Sequence, residues 1–427
     1  MTNCNERALV SRVKGIGGRE ASFLENATLR VQVDDIGGMV PLLCSVQDRR
    51  QINAHWQPWF RSNSGRPYID EKDGSFWKSA LLYNIAGNFP CAPNFGPGHI
   101  INGLTMPPHG WTASLKWEYK KSGIDEESGA AWSFSEMKSP DSAMPLLFKK
   151  IDAIVPGESV HYSALSVQNL GETDSEICCA YHNTIGALFL QVGCHISAEA
   201  NVWITPPPGG EFDGTTRLVP GAEFSTLSRA PLAFGGKTDI GIVPPPIGYT
   251  DFVCGVIPKT AHLGWSSVVN PELKMTYICF FPGPAASREP GGEEITLYFN
   301  DFWMQYGGRP FTPWAPWDEG PDQTYCLGME NAVGAWACGL DYALRVKKVL
   351  GSPTTVTIPA KTEKTLYYGT LFAPYEMGIL DSGIVGIDTE ENRLVCKSAT
   401  EFWKFDADPS FRVIRGIKES LSSAVGP

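Results

Sequence analysis

Runs of alternating polar and apolar residues, each closed by a turn rich in glycine, proline or aspartate, recur through this sequence and leave little room for a long helix. Thr28–Val33 (TLRVQV) alternates as a strand with one buried face does. Asp34-Asp35-Ile36-Gly37-Gly38 supplies a turn, and Met39–Ser45 reads as the hairpin partner. Tyr162–Asn169 and Ser175–His182 repeat the pattern around the turn Gly171-Glu172-Thr173-Asp174. It predicts further strands at Leu188–Ala198, Met275–Phe281, Ile295–Phe302, Thr324–Met329, Thr354–Ile358 and Thr365–Phe372. The 44 glycines and 33 prolines among 427 residues exceed the roughly 7 and 5 per cent of an average chain. They argue against coiled coil, and the 43% apolar content argues against disorder and for a large core.

Three segments read as helical, all short. Glu136–Met144 is interrupted by Pro140, Gly334–Ala337 is one turn, and Asp408–Ser423 has Asp408 as N-cap and Pro409 at the first helical position. There is no repeat at a fixed period, which disfavours a propeller or solenoid. The Pro206–Gly210 and Pro244–Pro246 stretches sit inside strand-like sequence without a composition shift, so they read as rigid surface loops rather than linkers. The reading is an all-β chain: one large antiparallel sandwich over residues 1–427, with loop excursions and a short C-terminal helical tail.

The net charge of −11 carries no block of like charge. An acidic, unclustered surface disfavours nucleic acid and anionic membrane as partners. The first residues lack the apolar core of a secretory signal, and no run reaches the roughly 20 apolar residues of a spanning helix. Eleven cysteines without regular spacing, Cys178-Cys179, Cys194, Cys254, Cys279, Cys326 and Cys338 among them in strand-like runs, read as buried thiols. The Asn26-Ala27-Thr28 sequon reads as chance. Together these features predict a cytoplasmic protein.

Known catalytic signatures are missing: no GxSxG, no phosphate loop, no dinucleotide fingerprint. The seven histidines (His55, His99, His109, His161, His182, His195 and His262) have no metal-ligand spacing, so neither metal nor cofactor is expected. Three windows set ionisable side chains at strand ends beside small or aromatic residues. The first is Gly87–Gly96 (GNFPCAPNFG), followed by Pro107-Pro108-His109-Gly110-Trp111 and Trp117-Glu118. The second is Tyr181–Ala187 (YHNTIGA), and the third is Leu327–Ala332 (LGMENA). Partial desolvation there moves a pKa toward working pH. Taken singly, His109 also reads as a turn residue, His182 as a core histidine and Glu330 as a surface carboxylate.

The succession of these windows resembles the aldose 1-epimerase (galactose mutarotase-like) superfamily, in which an early Gly-Gly strand end precedes a GGIPxxxPxFG loop and an HGxxRxxxW-like segment. A strand leading to a histidine and a carboxylate ending an LxxEP-like strand follow. The counterparts here are Ile36-Gly37-Gly38, Gly87–Gly96, His109–Trp117, Gln168-Asn169 through His182, and Leu327–Asn331, spanning roughly residues 24 to 375. The resemblance implies a single β-supersandwich and exchange of sugar anomers by general acid–base catalysis. It makes Glu330 the base, His182 the acid and His109 a second histidine near the ring oxygen. Trp111, Asn88 and Asn183 become substrate contacts.

Two departures bear on the substrate. Ala86 and Ala113 stand where members acting on hexose 6-phosphates resemble one another in arginine, which disfavours a phosphorylated sugar. Asn331 replaces a common proline. Arg61 and Arg66 lie upstream without a motif to tie them to the site. A non-catalytic sugar-binding module, or another epimerase or lyase acting on sugars, remains an alternative on the same fold. The segments Asn53–Lys78, Ser122–Ser139 and Pro206–Gly236 read as insertions where specificity lies.

Overall fold

Two antiparallel sheets dominate the computed structural model, which describes residues 7–47, 49–286 and 292–423. The larger has eight strands, in spatial order His195–Ala198, Leu263–Asn270, Met275–Pro282, Glu363–Pro374, Val160–Asn169, Leu146–Ile154, Ala131–Lys138 and Glu118–Ile124. The other has seven: Glu223–Phe224, Val202–Ile204, Tyr249–Val256, Phe299–Tyr306, Tyr325–Val333, Cys179–Gly186 and Asn88–Cys91. This is the large all-β sandwich expected from the strand–turn pattern.

Inner faces of the two sheets meet in an apolar core threaded by a polar chain. Tyr181 stacks on Tyr368 with ring centroids 4.5 Å apart. Asn183 Nδ2 donates to the Tyr368 hydroxyl at 2.7 Å, Tyr277 donates to Asn183 Oδ1 at 3.0 Å, and the Tyr368 hydroxyl donates to Asn331 Oδ1. Asn331 Nδ2 in turn donates to Asn300 Oδ1 at 2.6 Å and to Ser266 Oγ at 3.0 Å. One hydroxyl thus ties Asn183 and Asn331, on neighbouring strands of one sheet, to the sheet opposite.

A four-stranded sheet of Leu9–Lys14, Glu20–Glu25, Leu29–Asp34 and Leu42–Ser45 abuts the outer edge of the larger sheet, where the Arg12 guanidinium lies 4.3 Å from the Tyr119 ring centre. Its third and fourth strands are the predicted N-terminal hairpin, paired Leu29 to Ser45. The Asn26 side chain is a buried turn element, accepting from Thr28 and Leu29 N–H and donating to the Val155 and Glu158 carbonyls.

Several boundaries differ from expectation. Glu136–Met144 is no helix: residues to Lys138 belong to the strand Ala131–Lys138, whose buried residues Ala131, Ser133 and Met137 follow strand spacing. The expected insertion Ser122–Ser139 is therefore mostly a hairpin of the larger sheet. Leu188–Ala198 is a turn with only its last four residues in a strand. The C-terminal helix runs Arg412–Ser423, starting later than expected because Pro409-Ser410 turn and Phe411 adopts a left-handed φ of 59° to bury its ring. Asp408 still accepts the Val413 N–H, at 3.1 Å. Helices at Asp70–Trp77, Ala80–Asn84, Gly110–Ser114 and Leu340–Val346 were not anticipated.

The C-terminal segment also supplies an unexpected three-stranded sheet, Gly386–Glu390, Arg393–Lys397 and Phe402–Asp406. With the helix it covers the outer face of the larger sheet, packing Ile387, Leu394, Ile414, Ile417 and Leu421 against Ile151, Trp265, Ile278 and Phe280. None of the helices among the described residues is long and apolar enough to cross a membrane.

Replacing Asn183 by alanine strips two buried tyrosine hydroxyls of their shared partner. The expected loss is about 1–3 kcal/mol of stability, read as a lower urea midpoint at unchanged slope.

Candidate functional site

The histidine and carboxylate windows become adjacent strands. Cys179–Gly186 pairs with Tyr325–Val333 so that His182 lies directly opposite Glu330, and the register continues to Phe89 on one side and Asp301 then Cys254 on the other. Directly paired residues project from the same face of a sheet, so this row looks away from the intersheet core.

His182 Nε2 lies 3.1 Å from Glu330 Oε1, and its Nδ1 lies 3.0 Å from the Thr184 hydroxyl two residues along the same face. Phe89 stacks on the imidazole at 4.6 Å with rings 15° apart, fixing its plane. Gly328, two residues before Glu330 on its strand, leaves room for the carboxylate: a Cβ there would come within 2.8 Å of Glu330 Oε1. Glu330 Oε2 is buried and finds no hydrogen-bond partner among the described residues.

His109 arrives from a separate loop. Its N–H donates to the Gly96 carbonyl at 2.8 Å, and Asn94 Nδ2 donates to the carbonyls of Pro97 and Pro107. Asn94 Oδ1 accepts the Leu340 N–H, anchoring this loop to the helix after the carboxylate strand. Gly96 makes the close approach possible, at a φ of 123° where a Cβ would fall 1.9 Å from the Ala337 carbonyl oxygen. The His109 ring, in edge contact with His182 at 5.0 Å between centroids, completes a trio with Glu330.

A cavity of about 390 Å³ opens onto His109, His182 and Glu330. Its walls include Phe212, Phe252, Trp303, Phe311 and Trp314, with Arg309, Glu211 and Lys78 as the remaining charged groups. Arg309 is a site residue that no motif announced; a lone arginine after the strand Phe299–Tyr306 carries no spacing signal.

Other predicted contacts lie elsewhere. Asn183 and Asn88, paired across the strands next to the His182–Phe89 row, face the opposite way and do not line the cavity. Trp111 is buried in the core. Arg61 pairs with Asp34 at 2.6 Å and Arg66 with Asp73 at 2.7 Å, both away from the cavity. Ala86 and Ala113 are fully buried and absent from its lining. Of the expected insertions, the first brings Lys78 to the cavity and the third brings Glu211 and Phe212.

Burial sets the protonation of the trio. It lowers His182 to about 3 and, with help from the facing His182, His109 to about 3, so both imidazoles are neutral at physiological pH. Burial first, and then the charge of Glu211, raises Glu330 well above the usual carboxylate range. Asp301 beside it is also raised, by burial and then by Glu330, against a lowering contact with Cys254. Among the described residues no group of three or more His, Cys, Asp or Glu side chains is placed to hold a metal.

No family model matches this sequence, and no curated protein matches it by sequence. Solved structures do match by shape. A galactose mutarotase-like protein from Clostridium acetobutylicum aligns over 87% of this chain and 100% of its own, with a TM-score of 0.55 at 10% identity. The fold is galactose mutarotase-like. A Klebsiella pneumoniae protein provisionally named an aldose 1-epimerase aligns over 83% of this chain and 79% of its own, with a TM-score of 0.57 at 11% identity. A galactose mutarotase related enzyme from Lactobacillus acidophilus gives 0.50 at 9% identity, over 84% and 98%.

The lowered histidine values carry a direct test. In an NMR titration of ring resonances, His109 and His182 stay neutral down to about pH 3. An inflection of either between pH 6 and 7, near the ordinary value of about 6.5, contradicts this description of the cavity.

Proposed function

We propose that the chain is a single sandwich unit that interconverts the anomers of an unphosphorylated aldose, with Glu330 and His182 as the proton-transfer pair and His109 as a substrate contact. The observation that carries this reading is the His182–Glu330 contact at 3.1 Å, next to His109, on the floor of a cavity of sugar size. Aromatic walls suit the apolar faces of a pyranose, and the polar groups are few and convergent, as in small-molecule sites generally.

Mutarotation needs one proton removed and one delivered. As the ring opens, the O1–H proton passes to a base and the C1–O1 bond becomes a carbonyl. The C1–O5 bond breaks with its electron pair going to O5, and an acid protonates O5. Rotation about C1–C2 and reclosure with roles exchanged give the other anomer and restore the pair. Together Glu330 and His182 hold one transferable proton. When it sits on His182 the carboxylate is the base and the imidazolium the acid, and after ring opening the proton sits on Glu330 beside a neutral imidazole.

Burial favours that second, uncharged arrangement, so Glu330 is a strong proton acceptor once ionised and the pair is never far from neutrality. His109, neutral and 5.0 Å from His182 between ring centres, is placed to hydrogen-bond a sugar oxygen. None of these steps calls for a cofactor.

Freshly dissolved α-glucose and α-galactose, followed by polarimetry, test the reading. The protein should accelerate equilibration, and Glu330→Gln, which mimics the protonated acid but cannot exchange it, should lose about 10²- to 10⁴-fold in kcat/KM. No acceleration over a broad panel of free aldoses refutes the mutarotase reading, and sugar binding without turnover then identifies a binding module.

The pH profile gives a second check. Because Glu330 is raised and His182 lowered, the pair keeps its one transferable proton across the neutral range, so kcat/KM should be flat there. It should fall on the alkaline side, as Glu330 ionises and the pair becomes anionic. A limb centred near pH 6.5 contradicts the assignment.

A further inference from the structure

The cavity holds an ion pair that the chemistry above does not use. Arg309 Nη2 lies 2.7 Å from Glu211 Oε1, and both side chains line the cavity. We infer that the Glu211–Arg309 pair is the substrate-selecting element of this cavity: it reads hydroxyls of an uncharged sugar and turns away sugars bearing a carboxylate or phosphate. This inference rests on the reading of the cavity as a sugar site and names the substrate class within it.

The two partners are held very differently. Arg309 is fixed: its guanidinium lies 4.8 Å from the Trp314 ring centre, 5.4 Å from Trp303 and 5.9 Å from Phe212. Its backbone N–H donates to Asp322 Oδ2 at 2.8 Å, and Asp322 also accepts from Gln305 and from Thr324 N–H. With only 9% of its side chain exposed, the cation is an immobile feature of the wall. Glu211 reaches it from the Pro206–Gly236 excursion, held in place by Phe212, which stacks on Phe252 at 4.8 Å, and 47% of the Glu211 side chain remains exposed.

Glu211 also lines the same cavity as His109, His182 and Glu330. Its charge acts on His109, His182 and Glu330 together, in each case after the larger effect of burial. A sugar that reaches the His182–Glu330 pair therefore lies within the field of Glu211.

Charge balance then decides what fits. His109 and His182 are neutral, Glu330 shares its proton with His182, and Arg309 is already matched by Glu211. Lys78 is the remaining cation of the lining; it is exposed at the rim, donating to the Ser75 carbonyl at 2.6 Å. A neutral sugar offers hydroxyls that both donate to the carboxylate and accept from the guanidinium, without separating the pair. An anionic sugar that approaches Arg309 is brought beside Glu211, which sets two negative groups together at one wall of the cavity. A built-in repulsive charge is how binding sites reject near-isosteric competitors. The buried alanines at 86 and 113 are consistent with this, since neither supplies a second anion-binding group.

The test is a binding competition read from tryptophan fluorescence, because Trp303 and Trp314 flank Arg309. Glucose and galactose are the neutral probes; glucuronate, galacturonate and glucose 6-phosphate are the anionic ones. The wild type should bind each neutral sugar about tenfold or more tighter than its anionic counterpart. Glu211→Gln, which keeps the shape and frees Arg309, should shift that ratio by about tenfold or more toward the anions. Adding Arg309→Met to Glu211→Gln should abolish the gain.

A wild type that prefers the anions, or a ratio unmoved by Glu211→Gln in a protein with native circular dichroism and melting, overturns the inference. If Glu211→Gln does not fold, Glu211→Ser carries the same comparison at the same exposed position. Mutarotation of the neutral sugars is measured separately. Turnover with no change in selectivity overturns this inference alone, and failure of every probe to bind overturns the sugar-site reading along with it.

Discussion

Everything in the candidate site depends on one strand register. Pairing Cys179–Gly186 with Tyr325–Val333 places His182 opposite Glu330, and a slip of one residue between the two strands would turn one of these side chains into the intersheet core. The polar chain behind the sheet opposes such a slip: Asn183 and Asn331, one residue past His182 and Glu330, meet at the Tyr368 hydroxyl of the facing sheet. Asn331, the departure from the proline common in the resembling family, therefore has a positive role. A proline there could not supply the side-chain amide that reaches Ser266 and Asn300.

Burial does the rest. An unpaired charge removed from water is costly enough that such a group usually neutralises, and here burial drives both His182 and Glu330 toward their uncharged forms. The same desolvation that makes Glu330 reluctant to ionise makes it a stronger acceptor when it does. The charged pair that stays charged, Glu211 with Arg309, sits farther toward solvent, where its carboxylate is half exposed. The cavity is thus graded from an uncharged floor to a charged mouth.

Much of this was legible from sequence, and the gaps have physical reasons. Strand–turn alternation announced the sandwich, and ionisable residues at strand ends picked out His109, His182 and Glu330, which the fold brings to one cavity. The resemblance makes Asn183 and Asn88 substrate contacts, yet in a strand adjacent residues point to opposite faces. Applying that period to His182 would have sent Asn183 inward. Arg309 and Glu211 meet only through folding, across 98 positions, so no local pattern joins them. Glu136–Met144 misled because Glu, Met and Lys favour helices, whereas the alternation of Ala131, Ser133 and Met137 decided for a strand.

The C-terminal sheet and helix change what the larger sheet is. Covered on both sides, its middle strands are the inner layer of a three-layer stack, and Met275–Pro282 (MTYICFFP) is accordingly apolar on both faces rather than alternating. A chain ended before Gly386 would still contain the cavity and the residues lining it, but would present Trp265, Ile278, Phe280 and Leu371 to water as a broad sticky face. The last forty or so residues therefore govern solubility, and a fragment designed around the cavity alone would aggregate before its chemistry could be assayed.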